Sequence, residues 1–526
     1  MFKRLVELLK QALRDMVSYK SIADTVDVSM FTISDEMSDA IELWRDMYKE
    51  KAPWLNEDDG VYSLGIPKTV CQELASYVLS EMESHIVAPG QEDIDHDESK
   101  SANVSTKAGY MDDLYHKRLI DKLYDKLEKG MAMGGMLIKP YMSNGSLYFD
   151  FTYQGDFYPI TFDDDGNITD IAFPDQFVEG EYLYTKVERH TFANNTVVVE
   201  NKAYKAKLRD KDDDKDQDIG TEIPLTSVSK WANIEPEVTI NNVEKPLYGY
   251  YKVPIANNVD MDSPLGVSVF HPAVKLIERT DKQFSRLDWE YEGGQLAIDV
   301  DPNAVTFQSG YFGQVMEMDD CKKRLYRGID LGQDNTYEAF APTLRDTNYQ
   351  AGLTKYLTKI EDTCGLSRGA LSEVESEART ATEIKVLKQR QFRTVCNNQA
   401  ALEKALNDAI YAMSVYIDLY NLAPQGDYTT TTEWKDSILT DTDTELEQKL
   451  NLEKEGILSK AEVRAWYTGE SEEEAQLKID EMEKKEQEKQ LNDLFSMQPN
   501  DVTLEQDTDT TKKQTTTDDD EEEDDK

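Results

Sequence analysis

Carboxylates are the commonest reactive groups in this chain, 104 of its 526 residues, against five histidines and four cysteines. At that density carboxylate pairs arise by chance, and no pair is singled out for general acid/base work. His85, His96, His116, His190 and His271 show no HExxH and no paired ligand spacing. Cys71, Cys321, Cys364 and Cys396 lie far apart without a CxxC pair, so neither a zinc site nor a disulfide framework is indicated and a reducing cytoplasm fits. No Gly-Lys dipeptide occurs, which removes the phosphate-gripping Walker A loop, and there is no GxSxG elbow. Asp163-Asp-Asp165 before Gly166 looks like part of a calcium loop, but Thr161 and Ala172 would then fill its first and twelfth ligand positions. No catalytic residue, metal site or cofactor is expected, and the chain is not read as an enzyme.

Two charged constellations stand out instead. Lys322, Lys323, Arg324 and Arg327 concentrate positive charge within Cys321-Lys-Lys-Arg-Leu-Tyr-Arg327 of a chain whose formal net charge is -46. Such a cluster guards an edge strand against aggregation or docks an acidic partner or nucleic acid; docking is the expectation. The second constellation is the polar connector Ser372, Glu373, Val374, Glu375, Ser376, Glu377, Ala378, Arg379, which has no apolar periodicity to bury. It therefore belongs on a solvated surface.

Two helices flank that connector. Gly365 ends the first, which the stripe Tyr349, Leu353, Leu357, Ile360 and Cys364 predicts over 344–363 behind a Thr343/Asp346 capping-box variant. Thr380 and Glu383 form a capping box that opens the second. Ile384, Leu387, Gln391, Val395, Leu402, Ala405, Leu406, Ala409, Met413, Tyr416, Ile417 and Tyr420 keep one stripe, unbroken before Pro424. A helix over 380–422 would be on the order of 64 Å long.

Elsewhere helices are predicted over 66–86, 112–129 and, behind a Ser263-Pro264 cap, 272–292. A β-rich block with strands at 147–153, 157–162, 168–173, 182–192 and 197–207 turns at Asn144-Gly145 and Asp165-Gly166. Short strands at 295–300, 304–307, 314–318, 324–329 and 337–341 make a small β module between two helices. Ser459/Glu462 and Ser471/Glu474 are further capping boxes, the second helix running toward Phe495. The lysine-and-aspartate insert 209–218 is a solvated loop tip, and the last thirty residues read as a disordered acidic tail. Residues 1–16 read as an amphipathic helix rather than a signal peptide, and no run approaches the ~18 apolar residues of a membrane span. The fold class is α+β. So acidic a body cannot grip DNA through its phosphates, although it could surround a duplex that slides.

The order of several short stretches resembles the portal proteins of tailed bacteriophages, in the siphovirus-like branch of Gram-positive hosts. These are Gly134-Gly-Met-Leu-Ile-Lys-Pro140 with Gly155-Asp-Phe-Tyr-Pro-Ile160, Ser263-Pro-Leu-Gly-Val-Ser-Val-Phe270, Gly365-Leu-Ser-Arg-Gly-Ala-Leu371, Arg379-Thr-Ala-Thr-Glu383, and Gly456-Ile-Leu-Ser-Lys-Ala-Glu462 to Ser471-Glu-Glu-Glu-Ala475. The resemblance implies an elongated subunit with a wing (1–262), stem helices (263–293 and 343–371), a clip (294–342), a tunnel loop (372–379), a long wing helix (380–425) and a crown (426–496), followed by the tail (497–526). It implies a ring, twelve-membered in that family, at the capsid vertex of the virion, assembled in the host cytoplasm. Double-stranded DNA would pass without sequence recognition, and the partners would be the terminase large subunit, a head-tail adaptor, scaffold and major capsid proteins, with no membrane. A scaffold or coiled-coil interaction protein, and a metal-dependent nuclease, are the alternative readings.

Overall fold

Ser34 is extended and its hydroxyl accepts the Met37 N–H, so α1 (Asp35–Tyr48) starts from a capped turn with Asp35 and Glu36 at the positive end of its dipole. Met37, Ile41, Trp44 and Met47 form its buried face. The computed structural model describes residues 33–56, 60–80, 82–90, 106–208, 219–295, 297–300, 326–328, 337–372, 381–434, 442–468, 471, 474–482 and 484–485. Helices and sheets occupy separate blocks, an α+β fold, and the chain divides into two compact units, Met1–Leu439 and Thr440–Lys526.

In the first unit α1 is followed by α2 (Ile66–Leu79), β1 (Met82–Val87), α3 (Lys107–Tyr115), one π turn (His116–Ile120) and α4 (Asp121–Met133). The helix expected over 66–86 thus stops at Leu79, because the chain leaves it to pair β1 antiparallel with β14 (Thr429–Trp434). The helix expected from 112 begins earlier, at Lys107, where the Thr106 hydroxyl accepts the Gly109 N–H. Gly134, at φ 86°, closes α4.

β2 (Gly135–Ser143) and β3 (Ser146–Tyr153) form a hairpin whose Asn144 and Gly145 both have positive φ, as a type I′ turn requires. A six-stranded antiparallel sheet follows: β4 (Tyr158–Phe162), β5 (Ile168–Glu179), β6 (Tyr182–Ala193), β7 (Thr196–Lys207), β8 (Thr221–Ile223) and β9 (Glu237–Asn241), the last two sharing an edge of β7. The Asp163 carboxylate accepts the Asp165 and Asn167 amides and the Asn167 side chain, so this acid caps its own turn. β10 (Gly249–Lys252) joins the free edge of β2.

α5 (Val274–Gly293) enters through a 3-10 turn at His271–Ala273, not at the expected Ser263-Pro264 cap; the Ser263 hydroxyl accepts the Leu265 amide instead. α6 (Asp346–Cys364) returns antiparallel: Gln350 donates to the Tyr291 hydroxyl at 3.1 Å, and the Arg345 guanidinium holds both Glu290 oxygens at 3.1 and 2.7 Å. Arg345, without a side-chain cap, precedes the helix, and Asp346 accepts the Thr347 amide, so the expected Thr343/Asp346 box is not formed. Between the helices β11 (Ala297–Val300), β12 (Tyr326–Gly328) and β13 (Tyr337–Phe340) form one sheet in the order β12-β11-β13. The strands expected at 304–307 and 314–318 lie outside the described residues.

The expected long helix is α7 (Ala381–Tyr420), 40 residues and about 60 Å. It ends before Pro424 is reached, because Asn421 turns left-handed at φ 51° and the Leu422 N–H returns to the Ile417 carbonyl. Val395, Leu402, Ala405, Leu406, Ala409, Ile410, Met413 and Ile417 are buried on it. At Gly249 the β10 backbone comes so close that a Cβ would overlap the Ala405 carbonyl oxygen.

The second unit contains α8 (Thr442–Lys454) and α9 (Lys460–Thr468). The expected Ser459/Glu462 box is formed in both directions, Glu462 N–H to the Ser459 hydroxyl at 3.1 Å and Ser459 N–H to the Glu462 carboxylate at 2.5 Å. Glu474 likewise donates its N–H to the Ser471 hydroxyl. The N-terminal helix, the insert 209–218, the approach to Phe495 and the acidic tail lie outside the described residues. Among the described residues no helix is long and apolar enough to cross a membrane.

Gly249→Ala is expected to cost about 1–3 kcal/mol or more by overpacking. Gly293→Ala, where a Cβ meets nothing within 4 Å, is expected to change stability little. Paired chemical denaturation of the two variants measures both.

Candidate functional site

The charged connector leaves α6 from a root built on one buried carboxylate. Glu361, fully buried in the last turn of α6, accepts the N–H groups of Gly369 (3.1 Å), Leu371 (2.7 Å) and Ser372 (2.7 Å) and the Ser372 hydroxyl (3.0 Å). A carboxylate with no water must find its hydrogen bonds in the protein, and these donors hold the segment after Gly365 in one conformation. Gly365 itself is left-handed at φ 76°, and a Cβ there would overlap the Thr394 hydroxyl of α7. The next residue, Asp362, ties the helices together: Arg390 of α7 donates to its carboxylate at 2.7 Å and to its carbonyl at 3.0 Å, while Arg368 donates at 3.3 and 3.1 Å. The Arg368 guanidinium, helped by Arg390, holds the Asp362 carboxyl below the ordinary range.

Of the residues singled out in the sequence, Ser372 is thereby fixed at the root. Glu373, Glu375, Ser376, Glu377, Arg379 and Thr380 lie outside the described residues. Helix α7 begins at Ala381, the first helical position that the Thr380/Glu383 box predicts, and Glu383 lies in its first turn. Arg327 lies on β12; Lys322, Lys323 and Arg324 are outside the described residues. Sequence reasoning missed Glu361 and Asp362. The usable signal was two adjacent acids in the last helical turn, where the dipole disfavours negative charge unless donors compensate.

A second node joins distant stretches of the chain. Gln154, 1% exposed, donates to the Met133 and Gly266 carbonyls at 2.9 Å each, and its own oxygen accepts the Tyr250 hydroxyl at 2.6 Å and the Gly266 N–H at 3.2 Å. Gly134 and Gly266 make the close approach possible, since a Cβ at either would strike the other's backbone. Residues 134–140 and 263–270, and Gln154 just ahead of 155–160, separate in sequence, therefore meet at one polar cluster. The family described as phage portal protein, SPP1 Gp6-like, matches residues 30–490. The chain belongs to this portal family. A comparison with curated proteins gives no match. The portal family is structural rather than enzymatic, and membership makes the chain a bacteriophage capsid component tied to DNA packaging.

The fold also brings together His85 on β1 and Asp112 and His116 at the end of α3, a convergence that sequence inspection for paired ligand spacing did not find. Asp112 and His116 stand four apart on one helical face, which was the local signal; His85 arrives through the unforeseen strand.

Glu361→Gln places a donor against the amides that the carboxylate accepts. It should cost about 1–3 kcal/mol, with faster amide exchange at Gly369, Leu371 and Ser372 by mass spectrometry. Because its pKa is lowered, Asp362 contributes stability that is present above the unfolded carboxylate pKa of about 3.9 and is lost as pH falls below it. The stability difference between wild type and Asp362→Asn is therefore expected to shrink as denaturation is moved from neutral to acid pH.

Proposed function

We propose that this portal subunit closes into a homo-oligomeric ring, twelvefold in the resembling family, whose lumen carries the genome during packaging and ejection. In this reading α5 and α6 are the stem, the β11–β13 module is the clip, and the sheets with α7 are the wing. The second unit, from Thr440, is the crown, since β14 still pairs within the first unit. The segment 372–379 is the tunnel loop. The observation that carries this reading is the incompletely covered hairpin of α5 and α6. Tyr349, Leu353 and Leu357 on α6 remain half-buried, and Trp289, Tyr291 and Leu344 near its tip are 70, 39 and 38% exposed. An apolar strip of this kind is covered by the next copy when like subunits associate head to tail, and such contacts close into rings when the rotation permits.

The mechanism is steric and electrostatic. Glu373, Glu375 and Glu377 repel phosphates, so a duplex meets little friction, and Arg379 offers a transient contact. Lys322, Lys323, Arg324 and Arg327 present positive charge on the clip to an acidic face of the terminase or the head-tail adaptor.

Electron microscopy of the purified full chain should show closed rings with a central hole; only monomers or twofold dimers at micromolar concentration, across salt conditions, would overturn the proposal. Changing Glu373, Glu375 and Glu377 together to Lys should leave rings intact and stall packaging. Reversing the four clip charges should leave rings intact and weaken terminase or adaptor binding, with a smaller salt dependence. Normal packaging in the first variant, or unchanged binding in the second, would refute the respective assignment.

A further inference from the structure

His85, Asp112 and His116 come from two elements. His85 lies on β1, and Asp112 and His116 lie one turn apart where α3 passes into the π turn. One ligand atom from each lies within 4.8 Å of the others. The Asp112 Oδ1 stands 3.6 Å from His85 Nδ1 and 3.4 Å from His116 Nδ1, and the imidazoles face each other with centroids 4.8 Å apart at 33°. Around a tetrahedral ion with bonds of about 2.0–2.1 Å, ligand atoms stand roughly 3.3 Å apart, so the spacing of Asp112 Oδ1 and His85 Nδ1 is already close to that of a coordination sphere.

The surroundings orient the ligands as outer-sphere groups do. The Ile86 N–H donates to Asp112 Oδ1 at 2.8 Å and aims the carboxylate. His116 Nδ1 lies 2.9 Å from the Asp112 carbonyl; donating there leaves Nε2 with the free lone pair. The supporting backbone is locked, since the Ser84 hydroxyl bonds both the Tyr115 hydroxyl (2.9 Å) and Thr432 (3.1 Å), which pins β1 to α3 and β14. The π turn widens the helix at the residue that carries the second imidazole, a feature that recurs at functional sites. The three side chains are 24, 30 and 34% exposed, so an ion can reach them from solvent.

We propose that His85, Asp112 and His116 form a three-ligand site for a divalent transition metal of the zinc class, with the remaining position taken by water. Two imidazoles and one carboxylate favour zinc or cobalt over magnesium or calcium, which prefer all-oxygen shells. The bound ion would clamp β1, and through it β14, to α3. This goes beyond the portal reading and does not depend on it.

The test uses the full chain freed of metal by chelation and titrated with Co²⁺ in excess Mg²⁺, which occupies the diffusely held cations of an acidic surface. One Co²⁺ per subunit with the intense visible absorption of four- or five-coordinate cobalt is expected, displaced by Zn²⁺. His85→Gln and His116→Gln should each weaken binding by about tenfold or more, with the circular dichroism unchanged. Pale octahedral cobalt, cobalt displaced by Mg²⁺, or affinity unchanged in both variants would overturn the site. Zn²⁺ should also shield His85 and His116 of the wild-type protein from acylation by diethyl pyrocarbonate, read by peptide mass spectrometry. Equal labelling with and without Zn²⁺ would overturn the site even if a variant failed to fold.

Discussion

A 40-residue helix cannot keep its apolar face in water, and much of the first unit is arranged to cover α7. Its partners follow in order along the rod. Arg390 meets Asp362, and Thr394 meets Gly365 at the end of α6. Asn398 accepts the Tyr251 hydroxyl at 2.6 Å, Glu403 accepts the Trp434 indole, and Ala405 lies against Gly249. Farther along, Asn407 accepts the Thr430 hydroxyl, Asp408 pairs with Lys245, and Asp418 pairs with Lys107 at 2.6 Å. Contacts from residue 107 to residue 434 thus share one common reference, and a shift of the helix would be felt at each of them.

Two kinds of contact keep that reference rigid. Glycines allow backbone to meet backbone where a methyl group would not fit, as at Gly134 against Gly266 and Gly249 against Ala405. Buried polar groups then fix the register, because each must find its partner or carry the full cost of desolvation. Half-buried Glu188 on β6, ringed by the buried Lys139, Lys186 and His190, is a charged example. Burial would raise its pKa, but Lys139 at 2.6 Å, His190 at 2.8 Å and Lys186 at 2.9 Å outweigh burial and hold it ionised. Lys139 belongs to β2 and Glu188 to β6, so this cluster joins the three-stranded β10-β2-β3 sheet to the six-stranded sheet.

Features set by a few neighbouring residues were legible in the sequence. Gly365 as a helix stop, Asn144-Gly145 as a turn and Ser459/Glu462 as a reciprocal cap each depend on local geometry, and each is present. The misread features depend on remote partners. Met82–Val87 continues the apolar pattern of α2 and becomes a strand only because Thr429–Trp434, far along the chain, supplies its partner. The Thr343/Asp346 signal was overridden when Arg345 was drawn to Glu290 of the neighbouring helix. The Glu361 root was hidden for a related reason: three of its four donors are backbone amides, which any residue type but proline at 369, 371 and 372 would have supplied.

That root bears on how an acidic connector can work beside DNA. Eight residues, 373–380, separate the Ser372 anchor from the start of α7. At roughly 3.3–3.6 Å per residue their contour is at most about 30 Å, and a segment held at both ends reaches out no farther than about half of that. The anchors are themselves joined, because Asp362 and Gly365 contact Arg390 and Thr394. A force on the connector is therefore delivered to the α6–α7 junction, and along α7 to the contacts with β10 and β14. In a ring, repulsion between a duplex and the glutamates of the connector would be borne by the long helices and the sheets behind them. In the proposed ring, the buried carboxylate of Glu361 would make the charged connector part of a stiff wall.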